Sequence, residues 1–214
     1  DLCAELGLAR IAVGTQYMVA WTLLYQNDIE GSARQAREAV AQANRARHQR
    51  AEMVAHLTTA RARIEQAQYE KALTHVTRGR ALAESLGANR FQPFLTIFEA
   101  RAKLASGSPR AEVAPMVQEA LEISAETGIT FLGPWLNSTL AQALDNEPAV
   151  RAALAEGERL LADGCVGHNY FDFYADAMQV SLDSKMWDEV SRYAAQLQEY
   201  MAAEPLPWAD YRVR

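Results

Sequence analysis

Residues 47–87 read RHQRAEMVAHLTTARARIEQAQYEKALTHVTRGRALAESLG. In the first half Met53, Leu57, Ala60 and Ile64 recur at three-to-four spacing, and in the second half Ala72, Val76, Gly79, Ala83 and Leu86 do the same. That is the period of two amphipathic helices, not of strands. A hairpin with apolar faces on both helices cannot bury them alone, so neighbouring hairpins must complete the burial.

The same pattern recurs along the chain. Short loop-like segments return at Leu6-Gly7-Leu8, Arg47-His48, Leu86-Gly87-Ala88, Thr127-Gly128-Ile129 and Gly164-Cys165-Val166. Small residues fix the register: Ala20, Ala60, Ala100, Ala141 and Ala177 step by 40, 40, 41 and 36. Ser32, Ala72, Val113, Val150 and Val190 step similarly in the second helices, as do Ala39, Gly79, Ala120, Gly157 and Leu197. A period near 40 residues predicts stacked hairpins over about 9–46, 47–87, 88–128, 129–165 and 166–205, with 206–214 opening another, in one domain over 1–214. Ser108-Pro109 and Asn146-Glu147-Pro148 read as helix starts, and Gly87 and Gly128 as helix stops. Pro93 and Pro134 suit a first turn, whereas Pro115 requires a helix start or a bend. Residues 1–7 read as the tail of a preceding helix, and neither end carries a polar capping helix, so the sequence reads as part of a longer protein.

Composition agrees with a helical, soluble chain. Half of the 214 residues are hydrophobic, with alanine dominant, and this composition favours helix over strand. No apolar run approaches the roughly 18 residues of a membrane span, and no signal-peptide pattern opens the sequence; the expectation is a cytoplasmic protein with no membrane contact. Cys3 and Cys165 are too few for a disulfide framework. The net charge of −6 divides into +5 over residues 1–110 and −11 over 111–214, an asymmetry that suits head-to-tail contacts or docking sites of opposite sign.

Tyr69-Glu-Lys-Ala72-Leu73 and Trp187-Asp-Glu-Val190 resemble the centre of a tetratricopeptide repeat. The aromatic and glycine positions of that family's first helix are mostly missing here. The resemblance implies an all-α, right-handed α-solenoid of about five degenerate hairpins. A second resemblance rests on residues 151–210, RAALAEGERLLADGCVGHNYFDFYADAMQVSLDSKMWDEVSRYAAQLQEYMAAEPLPWAD, with RAEMVAH at 50–56, LGANRFQPF at 86–94 and GITFLGPW at 128–135. These stretches look like the C-terminal repeat region of large bacterial adenylate/guanylate cyclases, which carry a class III cyclase domain, a signalling ATPase module and then helical repeats. Related repeat tails also occur on ATPase-type transcription regulators. The sequence itself holds no phosphate-binding Gly-Lys-Ser/Thr loop, so no catalysis and no cofactor are expected of these residues.

Other constellations are weak. His168, Asp172 and Asp176 share a helix face but supply too few ligands for a metal site. Cys165 and His168 lack the further partners that a nucleophile needs. His48, His56 and His75 show no metal-binding pattern. Arg34, Arg37, Arg45, Arg47, Arg50, Arg61 and Arg63 could meet phosphates, but the acidic balance and the lack of a reading motif argue against nucleic acid.

In tetratricopeptide-like stacks the first helices line a concave face. Counting from the Ala20 series, the inward positions are Tyr17, Trp21, Val54, Leu57, Arg61, Phe94, Ile97, Arg101, Trp135, Ser138, Phe171 and Tyr174. They describe an aromatic trough with two arginines, suited to a protein or peptide segment, to neighbouring domains of the same chain or to another copy. The alternative is a small-molecule sensor with its ligand in that trough. A one-residue error in register would instead turn these aromatics into core.

Overall fold

The computed structural model describes residues 9–214; Cys3 and the helix tail expected over 1–7 lie outside them. Among the described residues there are eleven α-helices and no strand. They are α1 Ala9–Tyr25, α2 Ile29–Arg45, α3 Gln49–Glu65, α4 Tyr69–Ser85, α5 Gln92–Ala105 and α6 Arg110–Glu126, followed by α7 Gly133–Gln142, α8 Glu147–Ala162, α9 Gly167–Asp183, α10 Trp187–Tyr200 and α11 Pro207–Val213. The chain forms two compact units, Asp1–Ala102 and Lys103–Arg214.

Eight of the described helices end by one recurrent device. Asn27, Arg47, Ala67, Gly87, Gly107, Gly128, Gly164 and Lys185 all have positive φ, and each lies two residues beyond the end of a helix. The amide of the following residue then reaches back to close the last turn, as in His48 N–H to Ala43 O at 3.0 Å and Gln68 N–H to Arg63 O at 2.8 Å. This left-handed stop satisfies carbonyls that would otherwise be orphaned. Glycine adopts it freely, whereas an L side chain pays roughly 1–2 kcal/mol. Replacing the exposed Ala67 by glycine should therefore stabilise the protein by about 0.5–1 kcal/mol, read as a raised urea midpoint with unchanged slope.

Helix starts are capped locally. Asp28 Oδ1 accepts from Gly31 N–H at 2.8 Å, His48 Nδ1 from Ala51 N–H at 3.1 Å and Asn146 Oδ1 from Ala149 N–H at 2.9 Å. Losing the Asp28 cap by substitution with alanine should cost about 1 kcal/mol. Pro93 and Pro134 occupy the second positions of α5 and α7, each just after a 3-10 turn, Asn89–Phe91 and Thr130–Leu132. The helix expected at Ser108-Pro109 opens one residue later, with Pro109 as its cap, and α6 runs on through Pro115.

In the first unit, Ala33, Ala36, Ala39 and Ala43 form a wholly buried stripe on α2. It packs on Ala20 and Ala62 at one end and on Ala51 and Ala55 at the other. Helix α3 is covered on nearly every side, from Glu52 to Ala62. In the second unit α7 takes that part: Gly133 to Ala141 are all buried, against α6, α8 and α9. Ala20, Ala60, Ala100, Ala141 and Ala177 are all buried, as are Ala39, Gly79, Ala120, Gly157 and Leu197. Of the remaining series Ser32, Ala72, Val113 and Val150 are buried and Val190 is half-buried.

Candidate functional site

A helix buried on all sides cannot be amphipathic, so polar residues on α3 have to find partners inside the protein. Thr58 Oγ1 donates to Val54 O at 3.0 Å and receives Trp21 Nε1–H at 3.3 Å. One turn on, the Arg61 guanidinium carbon lies 4.3 Å from the Trp21 ring centroid and 5.1 Å from that of Tyr25, and Nη2 donates to the Tyr25 hydroxyl at 3.2 Å. Arg61 is only 2% exposed. It is a fixed positive charge held against two aromatic faces, a geometry in which the ring quadrupole attracts the cation.

The expected inward residues divide by burial. In the first unit Tyr17, Trp21, Val54, Phe94 and Arg101 are half-buried, while Leu57, Arg61 and Ile97 are buried. Arg101 Nη2 lies 4.0 Å from Glu65 Oε1. In the second unit Trp135 and Ser138 are wholly buried, with His168 edge-on to the indole at 6.2 Å. Phe171 and Tyr174 are half-buried and turn toward α10: Phe171 meets Tyr200 edge-on at 5.6 Å and Tyr174 lies 6.4 Å from Tyr193. The Tyr170 and Tyr200 rings stack at 4.4 Å. Sequence reasoning missed Tyr170, Tyr193 and Tyr200, although the spacings Tyr170–Tyr174 and Tyr193–Tyr200 signal shared helix faces. It also missed Tyr25, which lies one turn beyond Trp21.

The weaker constellations resolve into packing. Asp172 and Asp176 are buried on α9, and Asp176 Oδ2 accepts from Ser138 Oγ at 3.1 Å. Among the described residues no group of three or more His, Cys, Asp or Glu side chains is placed to hold a metal. Cys165 is half-buried, its Sγ 2.9 Å from Phe131 O, and burial pushes the thiol above its ordinary range. That is the reverse of activation. Of the arginine cluster, Arg61 faces inward and Arg63 is tied to Gln66 and Gln68 at 2.8 Å, leaving Arg34, Arg37, Arg45, Arg47 and Arg50 at the surface. No described helix is long and apolar enough to cross a membrane.

A cavity of about 210 Å³ opens between α8 and α10, floored by Leu154, Ala155 and Met186. Its charged rim is paired with itself, Arg192 binding Glu158 at 2.7 Å and Arg151 Nη1 standing 3.6 Å from Glu189 Oε1. A ligand there would have to break ion pairs before making its own.

Among the described residues of the first unit, the largest apolar exposures lie on α1. Ile11, Met18 and Val19 are 55%, 56% and 39% exposed, and the helix carries no acidic residue. Forty residues on, at the corresponding places of α3, Thr58 and Thr59 are buried and Ala51 packs against α2. No family model, curated protein or solved structure matches the chain.

Proposed function

We propose that these residues form a non-catalytic, tetratricopeptide-like contact module, and that α1 is the surface on which a helical partner docks. The observation that carries the reading is the exposed Ile11–Met18–Val19 face set against its covered counterpart on α3. Exposed apolar area of this kind marks an interaction surface. The partner it fits presents small residues at three-to-four spacing, as α2 does to α3 with Ala36, Ala39 and Ala43. The recurrent stop, 20 or so residues apart except between Gly128 and Gly164, and the buried small-residue series support the reading of stacked hairpins in a right-handed solenoid with a period near 40. The stretches that resemble the repeat region of bacterial adenylate/guanylate cyclases supply a setting. There the module sits in the cytoplasm and its contacts, in cis, with another protein or with a second copy, gate the attached signalling enzyme.

The test uses a labelled peptide of residues Ile29–Arg45 as a surrogate helix, followed by fluorescence anisotropy, with sedimentation velocity for self-association. Saturable binding or self-association that Met18→Asp abolishes while the melting temperature stays put supports the proposal. Absence of both in the wild type overturns it.

The sensor reading draws on one observation, the half-buried Tyr17 and Trp21 beside the fixed Arg61 charge. It expects a flat metabolite to raise the melting temperature, with the shift lost in Trp21→Ala.

A further inference from the structure

Helices α3 and α4 face each other through two imidazoles. His56 Nδ1 and His75 Nδ1 stand 2.8 Å apart, their ring centroids 5.1 Å apart and the planes inclined by 39°. At that separation one nitrogen must carry a hydrogen and the other a lone pair. His56 Nε2 lies 3.7 Å from Glu52 Oε1. A hydrogen on Nε2 faces the carboxylate, which leaves His56 Nδ1 as the acceptor and makes His75 Nδ1–H the donor. A single added proton can still be shared if His75 shifts its own hydrogen to Nε2, but with both rings protonated two N–H groups stand nose to nose, no lone pair is left and the contact breaks.

The surroundings resist charge on the pair. His56 is buried and His75 half-buried. Among the described residues, Glu52 on α3 is the anion placed against them, and it is already bound by Arg78 of α4, Nη2 to Oε1 at 2.9 Å. Arg63 of α3 adds a second positive charge felt by His75. Neighbouring α2 meets α3 through Ala39, Ala43 and Val40, and α5 sets the apolar Leu95 against Gly79, which lies beside His56.

We propose that His56 and His75 form an acid-released latch: the neutral pair holds α3 against α4, and protonation of both rings opens that hairpin. Burial, the Arg78 charge and, for His75, the neighbouring ring and Arg63 hold both imidazoles below the ordinary value of 6.5, His75 at about 4. The unfolded or opened chain therefore binds protons first as the pH falls. The latch contributes fully above about pH 6.5 and is lost progressively toward about pH 4. The inference stands apart from the helix-docking reading, since none of its groups lies on α1.

Amide hydrogen exchange on the whole chain, corrected for intrinsic rates, reads the latch directly. Between about pH 7 and pH 4.5, protection in α4 and the facing turns of α3 should fall about tenfold more than in α8 and α10, which serve as internal references. In the double variant His56→Leu/His75→Leu that extra loss should vanish. Equal loss in the variant, or no extra loss in the wild type, overturns the proposal. If the variant does not fold, imidazole nitrogen shifts of the wild type decide: His75 in the Nδ1–H form and titrating well below 6.5 supports the latch, and two independent titrations near 6.5 overturn it.

Discussion

Trp135→Ala should destabilise the protein by about 3–5 kcal/mol, the usual cost of deleting a large buried aromatic. The indole is wholly buried in the shortest of the central helices, and every residue from Gly133 to Ala141 around it is buried too. Collapse around the void is restrained, because Thr139 donates to the Trp135 carbonyl at 2.8 Å and Asn137 is tied to Gly133 O at 2.9 Å. For a chain of this size the melting temperature should fall by roughly 6–20 °C. Urea denaturation checks the value, and Trp135→Phe, which keeps most of the volume, should cost less than half as much. A loss under about 1 kcal/mol for the alanine variant would contradict a core role. The same burial makes Trp135 unsuitable as a probe of surface binding, for which the half-exposed Trp21 is the proper choice.

Gly157→Leu should be comparably damaging, for the opposite reason. Helix α8 crosses α9 so closely at Gly157 that an added Cβ would stand 2.3 Å from Phe173 Cε2 and 3.0 Å from Cδ2. Phe173 is wholly buried and hemmed in by Tyr174 at 5.6 Å and Tyr193 at 6.1 Å, so the ring cannot swing away. Even Gly157→Ala, which gains up to about 1 kcal/mol of helix propensity, meets an overpacking cost of about 1–3 kcal/mol and should come out destabilised. The leucine variant should lose about 3 kcal/mol or more. Gly79→Ala makes the contrast: its Cβ would meet Leu95 Cδ2 at 2.8 Å, the end of a flexible side chain, and the net change should be near zero. Pairing Gly157→Ala with Phe173→Leu should recover part of the loss, and additive effects would show that the ring is not the obstacle.

These two sites mark how far the sequence could be read. The glycine at 157 was legible as a small residue in a register, because small side chains at a fixed step have few causes other than close approach. Helix stops were legible at Gly87 and Gly128, and loops at Arg47-His48 and Gly164, but not at Gly107, nor at Asn27, Ala67 and Lys185, where an ordinary side chain takes the same left-handed conformation. Which first-helix residues face inward was not legible. A helix rotates about 100° per residue, and α3 and α7 are buried on nearly all sides, so no polar face fixes their orientation. Thus Arg61, expected at an open surface, is clamped between aromatic rings, while Tyr174 faces its own hairpin partner. The His56–His75 contact crosses from one helix to the next, and no pattern within either helix announces it.

The short-stop architecture has a kinetic corollary. Within each unit the described helices meet chiefly the next helix along the chain or the next but one. Closing such contacts requires loops of only a few tens of residues, which cost little chain entropy. Low contact order of this kind belongs to folding in microseconds to milliseconds. Each hairpin can therefore find its neighbour as the chain emerges during synthesis, its burial completed once the next hairpin has followed.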